Sequence, residues 1–260
     1  MTRVAKLPNA SWQESSNKYM WGIIPAAGMG TRIQPLAFSK ELLPVGSFFN
    51  GTGERPRAVS EYLVERMVNA GADKICFVIS PGKSDIVNYF GGHAFSATIF
   101  YAVQQRPAGL CDAIFRALPL IPPDEHVCIG LPDTIWFPET AFDALPDETL
   151  SLLLFPVDHP EHFDAVVTDE EGNVLEVRVK KPDSVTNWIW GAMKMPGRVL
   201  NELHEIWKAR NDEYFGTLIN AYLSQGNRVR AVKAGKSYVD VGTLNGYREA
   251  LRLLDINARL

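Results

Sequence analysis

An α/β domain with a mixed, mostly parallel, Rossmann-like sheet flanked by helices is predicted by three features of the chain. Several strand-length runs, such as Ile75-Cys76-Phe77-Val78-Ile79, are apolar without alternation, which is how a parallel strand covered on both faces reads. Helical patterns separate these runs, giving β-α-β-α-β order from the start. A small-residue turn, Ala26-Ala27-Gly28-Met29-Gly30, follows the first run directly. At 260 residues with 46% hydrophobic content the chain can bury one large core.

In order, residues 1–18 read as a polar leader, and 19–260 as a single domain. Tyr19 to Pro25 is the first buried strand, and Val45 to Arg57, rich in Gly and Pro, reads as a loop. Val59, Tyr62, Leu63, Met67 and Ala70 share one helical face, and Gly71 ends that helix. After the Ile75 strand, Ser84 is placed to cap a short helix. Thr98 to Val103 is a strand, Leu110 to Leu118 a helix, and Val127 to Leu131 a buried strand with Pro132-Asp133 beyond its carboxyl end. Leu150 to Val157 is a strand, and Phe163 to Lys181 a hairpin turning at Asp169–Asn173. Helices follow around Val199–Trp207 and Phe215–Leu223, then a strand from Arg228 to Ala234. Thr243 caps a last helix carrying Leu244, Tyr247, Leu251 and Leu254. No repeat or linker divides the chain.

Composition narrows the function. A net charge of −4 argues against a nucleic-acid surface. No apolar run reaches the roughly 18–20 residues of a membrane span. Cys76, Cys111 and Cys128 lack metal-ligand spacing and read as reduced buried thiols, as expected of a cytoplasmic protein. His159-x-x-His162 has no further ligand nearby and reads as a solvent loop.

The chemistry-bearing stretches are Gly28-x-Gly30-Thr31-Arg32-x-x-Pro35 with Lys40-Glu41-x-Leu43-Pro44-Val45, then Gln104 through Pro107 and Gly109 to Ala113, Leu131-Pro132-Asp133, Lys180-Lys181-Pro182, and Asp240-x-Gly242-Thr243-x-x-Gly246-Tyr247. Exposed N–H groups in a turn such as the first suit an anion. Along the strand before Pro182, alternation places Val177, Val179 and Lys181 inward, and Glu176, Arg178 and Lys180 on the polar face. An inward lysine requires an anion.

Taken together and in this order, from Ile23 to Tyr247, these motifs resemble the sugar-1-phosphate nucleotidylyltransferases, especially the bacterial glucose-1-phosphate uridylyl- and thymidylyltransferases. The resemblance implies the nucleotide-diphospho-sugar transferase fold. It also implies conversion of a nucleoside triphosphate and a sugar 1-phosphate into a nucleoside diphosphate sugar and pyrophosphate, with Mg²⁺ as cofactor. On that basis Ala26, Ala27, Gly28, Gly30 and Thr31 cradle the nucleotide, and Gln104, Pro107 and Gly109 hold its base, UTP or dTTP being favoured. Arg32 and Lys40 hold the triphosphate, Lys181 the attacking sugar phosphate, and Asp133 and Asp240 the metal. Lys180, where the family has Glu, and Gly191, after Trp188-Ile189-Trp190, face the sugar. Two positive charges at Lys180 and Lys181 would favour an acidic or acceptor-rich sugar; the alternative, which the polar strand face shared with Glu176 and Arg178 favours, is a solvated Lys180 with another residue contacting the sugar. The rival readings are a cytidylyl- or guanylyltransferase acting on another phosphorylated alcohol, and a non-catalytic nucleotide sensor. The chain ends soon after the last motif, without the longer helical region of many relatives, so a homodimer or a monomer is as much expected as the family's tetramer.

Overall fold

The structure, a computed structural model, describes residues 19–49, 51–183 and 185–257. The expected leader, 1–18, lies outside the described residues. The first strand, β1 (Met20–Pro25), is followed by β2 (Pro44–Phe49), β3 (Glu54–Ala58), α1 (Val59–Asn69), β4 (Ala72–Ile79), α2 (Ser84–Phe90), β5 (His93–Ala94), β6 (Ala97–Val103) and α3 (Gly109–Arg116). Then come β7 (His126–Gly130), β8 (Thr134–Phe137), β9 (Leu150–Pro156), β10 (Asp164–Thr168), β11 (Val174–Val179) and β12 (Trp188–Pro196). The chain closes through α4 (Gly197–Arg210), α5 (Phe215–Ser224), β13 (Val229–Val232), β14 (Ser237–Asp240) and α6 (Leu244–Asn257).

The main sheet runs β11-β10-β12-β7-β1-β4-β6-β5, with β9 and β13 branching from β12. Strands β7, β1, β4 and β6 are mutually parallel, while β12 runs antiparallel to β7. This is the mixed, mostly parallel sheet expected. From β1 the chain winds to β4 and β6 on one side and returns to β7 on the other, so the order reverses between β1 and β7. Ligands of open α/β sheets bind in the crevice at that point, beyond the carboxyl ends of the strands.

Alternate residues of each strand feed two cores. Ile23, Cys76, Val78, Val127 and Ile129 pack with α3, α4 and α5, and Ile24, Ile75, Phe77 and Cys128 with α1 and α2. At roughly 1.5–3 kcal/mol per buried large aliphatic or aromatic side chain, these two layers are the main favourable term in folding. A third cluster, with Leu43, Val45, Val59, Tyr62, Ile135, Val239, Val241 and Ala250, joins the β2–β3 hairpin, α1, the β8–β14 pair and α6. The three cysteines are buried and unpaired, as expected, and among the described residues no helix is long and apolar enough to cross a membrane.

Two local readings are corrected. The segment 45–57 is not a loop but a two-stranded ribbon, β2 paired antiparallel with β3. Its Gly, Pro and Arg residues sit on a strand pair that stands apart from the main sheet, where proline is tolerated. Ser84 begins α2 without a side-chain cap; the nearby carboxylate of Asp85 instead accepts from Ser39 N and Oγ at 2.6 and 2.7 Å. Thr243 does cap the last helix, its Oγ1 accepting from Gly246 N at 3.0 Å.

Candidate active site

The site is assembled at the carboxyl edge of the parallel strands, one loop per strand. After β1, Ala26 and Ala27 turn inward and are buried, while Gly28 and Met29 are exposed. Gly30 takes φ +63°, a conformation that favours glycine, and starts a short 3-10 turn over Thr31–Ile33. The N–H groups of Gly28, Met29, Gly30 and Thr31 find no acceptor among the described residues, so they form the exposed donor turn expected of an anion cradle.

After β4 comes Lys83, whose ammonium is buried and donates to Ala26 O at 2.7 Å and to both Glu41 oxygens at 2.7 and 2.8 Å. It thereby ties the glycine turn to the turn that carries Lys40. Burial pushes the Lys83 ammonium down and the Glu41 carboxyl up, and their pairing opposes both shifts. Glu41 is further fixed by Ser60 Oγ, which donates to its carbonyl oxygen at 2.7 Å.

The two aspartates meet through a device that no sequence period announces. Asp133 stands just before β8 and Asp240 ends β14; these strands pair antiparallel, with Asp240 opposite Thr134 and Val241 N donating to Asp133 O at 2.8 Å. A methyl group placed on Gly242 would stand 2.8 Å from Asp240 Oδ1, 3.1 Å from Arg32 Nη2 and 3.2 Å from Asp133 Oδ2. The carboxylates therefore converge on one point. Lys40 Nζ pairs with Asp133 Oδ2, and Arg32 Nη2 with Asp240 Oδ2 at 3.1 Å. Burial works against the Lys40 charge, but Asp133, with Glu41 and Asp240 behind it, more than offsets this and holds the ammonium above its usual pKa. Among the described residues no group of three or more His, Cys, Asp or Glu is placed to hold a metal. Two convergent carboxylates without a third fit a Mg²⁺ that draws its remaining ligands from phosphate oxygens and water.

Beyond β6, Gln104 is buried and its Nε2 donates to Asp112 Oδ2 at 2.8 Å and to Gly109 O at 3.1 Å. Pro107 lies exposed on the loop that follows. Gly109 has φ +85°, and the space a side chain would fill there is taken by Glu213, whose Cγ would lie 2.5 Å from it. Leu110 N donates to Glu213 O at 3.0 Å. The close approach at Gly109 is thus made by the chain before α5.

A cleft of about 1490 Å³ opens beside the aspartates. Its walls include Arg32, Asp133 and Asp240, and further out Asp164, Lys180, Trp190, Tyr214 and Tyr238. Lys181, expected inward, is not in this wall: strand β11 ends at Val179, and Lys180 adopts φ +46°, which breaks the alternation. Lys180 consequently faces the cleft, its Nζ 4.6 Å from the Tyr214 ring centroid, and Lys181 turns away to pair with Glu176 at 3.2 Å. Gly191 is not in the wall either, for a side chain there would meet Tyr238 and Phe155 at 2.5 and 2.8 Å. It allows Tyr238 to lie flat on β12 where the β12–β9 register shifts. His159 and His162, read as a solvent loop, sit on the cleft rim with ring centroids 5.7 Å apart. Sequence reasoning missed Lys83, Asp164 and Tyr214, which belong to no spaced motif, and Asp112, an unspecified position within the stretch Gly109 to Ala113.

The family model for nucleotidyl transferases matches residues 21–255. The chain belongs to the nucleotidyl transferase family. Within that family it is 26% identical over 243 residues to a glucose-1-phosphate thymidylyltransferase of Neisseria meningitidis, covering 89% of this chain and 81% of the relative. It is also 26% identical over 231 residues to the bifunctional protein GlmU of Methanococcus maripaludis, covering 87% of this chain but only 49% of that protein. The chain thus spans about half of one curated relative and four fifths of the other. In three dimensions it is similar to a UTP-bound UGPase from Acinetobacter baumannii, with a TM-score of 0.73, 20% identity and coverage of 91% and 93% of the two chains. That likeness speaks for the nucleotidyl transferase fold.

Proposed function

We propose that this nucleotidyl transferase joins a nucleoside triphosphate, UTP or dTTP, to a sugar 1-phosphate, releasing pyrophosphate and a nucleoside diphosphate sugar. The observation that carries the reading is the convergence of Asp133 and Asp240 beside Lys40 and Arg32 at the topological switch of the sheet. A phosphate oxygen of the sugar 1-phosphate attacks the α-phosphorus and forms the new P–O bond. The bond from the α-phosphorus to the α–β bridging oxygen breaks, and its electron pair leaves with pyrophosphate. The nucleophile is already an anion, so no general base is required. The protein's task is positioning and charge balance. Arg32 and Lys40 neutralise the triphosphate, and the free N–H groups of the glycine turn orient it. Asp133 and Asp240 would hold Mg²⁺, which supplies charge neutralisation on the phosphates when bound. Lys180, rather than Lys181, is the ammonium offered to the sugar phosphate on the far wall. The relatives' names, a thymidylyltransferase and a UTP-bound UGPase, support the same substrates.

The preference for a keto pyrimidine rests on how Gln104 is held. Asp112 Oδ2 and Gly109 O are acceptors, so the amide nitrogen must face them. That leaves Oε1, which accepts no hydrogen bond among the described residues, as the outward atom. An outward acceptor complements the N3–H of uracil or thymine and meets a lone pair at N3 of cytosine. Asp112 is itself locked by Arg116 at 2.6 Å. Asp112→Asn frees the amide to turn over, and the expected result is a fall of roughly tenfold in the UTP-to-CTP preference. The test of the function is pyrophosphate release from a matrix of nucleoside triphosphates against sugar 1-phosphates. Release only with ATP or GTP would refute the base assignment, and no release with any sugar phosphate would refute the reaction.

A further inference from the structure

The wall that faces the sugar end of the cleft contains a carboxylate that no motif predicted. Asp164 opens β10, lies opposite Val179 in the β10–β11 pairing, and so stands at the level of the strand end that presents Lys180. It is half-buried and lines the cleft. One oxygen, Oδ2, accepts from Trp190 Nε1 at 3.3 Å, and it lies against Gly216, where a side chain would stand 2.9 Å from it. Among the described residues it makes no ion pair. An ionised carboxylate offers about four acceptor sites, and a ligand that displaces solvent from it must supply donors of its own. Burial pushes the Asp164 carboxyl up, while the Trp190 N–H, Lys180 and the Gly216 N–H counteract that push. The surrounding wall is aromatic, with Phe163, Trp190, Tyr214 and Phe215. Flat apolar faces around a small number of fixed polar groups are what a small polar ligand meets in a protein pocket.

We infer that Asp164 is the sugar-reading residue of this cleft, accepting hydrogen bonds from hydroxyl groups of a neutral sugar 1-phosphate. The inference rests on the proposed reaction and names the substrate class of the same site. Lys180 supplies the local counter-charge, because Lys181 turns outward to Glu176. The pair of Asp164 and Lys180 is therefore close to neutral. An acidic sugar, which two adjacent lysines would have favoured, would bring its carboxylate against Asp164. A neutral sugar instead gives the carboxylate the hydroxyl donors it lacks.

The test uses the full chain and glucose 1-phosphate, its singly deoxyfluorinated analogues and glucuronic acid 1-phosphate. Asp164→Asn is isosteric and keeps an acceptor for Trp190. The expected result is a KM for glucose 1-phosphate raised roughly 10- to 100-fold with the KM for the triphosphate unchanged. Fluorine cannot donate, so one analogue should lose a similar factor with the unaltered protein and little more with Asp164→Asn. Glucuronic acid 1-phosphate should be the poorer substrate for the unaltered protein and improve relative to glucose 1-phosphate in the variant. Should Asp164→Asn fail to fold, the analogue series and the acidic sugar still decide with the unaltered protein. Equal use of all analogues, a preference for the acidic sugar, or an unchanged KM in a folded variant would each overturn the assignment. An unaltered protein that turns over no sugar phosphate at all would instead refute the reaction on which the inference rests.

Discussion

Asp133→Asn and Asp240→Asn are each expected to lower turnover on the order of 10³-fold, the rate equivalent of several kcal/mol of lost charge stabilisation on the phosphates. The two side chains converge on a single point beside Gly242, so neither has a carboxylate neighbour able to replace it there. The fold should persist, because both residues lie in the cleft wall rather than in the apolar layers. Asp133→Asn also strips Lys40 of its ion-pair partner, and a stability loss of about 1.5–3 kcal/mol is expected from that. Asp240→Asn should cost less, since Arg32 is mostly exposed. Turnover measured against a Mg²⁺ titration, with unfolding by denaturant in parallel, checks both. Near-normal turnover at millimolar Mg²⁺ in either variant would remove that residue from the proposed metal site.

Lys83→Met is expected to have the largest effect on stability, roughly 3–5 kcal/mol, because it leaves the Glu41 carboxylate buried without its partner. Glu41 already has its carboxyl pushed up by burial, and without Lys83 only the more weakly acting Lys40 and a backbone hydrogen bond oppose that push. The folded variant then holds a proton that the unfolded chain has released. The stability of the variant should therefore be greatest below the ordinary carboxyl range and fall as pH rises through the raised Glu41 value. The double variant Lys83→Met with Glu41→Leu should recover most of the loss, though not activity, since Lys83 also holds Ala26 O at 2.7 Å and positions the turn that bears Lys40. Urea unfolding across pH separates these outcomes: a single variant as stable as the parent at neutral pH would show that the pair does not stabilise the fold.

The parts of the fold legible in the sequence were those whose signal is local. Ile75–Ile79 and Val127–Gly130 are continuous apolar runs, and α1 shows a clean helical face, so the parallel sheet and its carboxyl edge could be anticipated. The β2–β3 ribbon could not, because Glu54-Arg55-Pro56-Arg57 has the composition of a loop and pairs only through a neighbour across a turn. Strands β8 and β14 have four residues each, too few to establish a period. Inward placement of Lys181 assumed that alternation continued past Val179, and one left-handed residue at Lys180 reversed it. Lys83 and Asp164 carry single charges on loop and strand-start positions. Their meaning comes from Glu41, Trp190 and Lys180, which lie distant in sequence and close in space.

The β8–β14 pair has a bearing on how such a chain tolerates change. The spacing of Asp133 and Asp240 is set by the hydrogen-bond register of four paired residues and by the cluster that seats them against α1 and α6, not by the hundred or so residues between them. Changes in length at the exposed turns of that long interval leave this register, and with it the distance between the two carboxylates, unaltered. The β8–β14 pair works as a clasp: it fixes the spacing of the two carboxylates locally, whatever the length of the chain it closes.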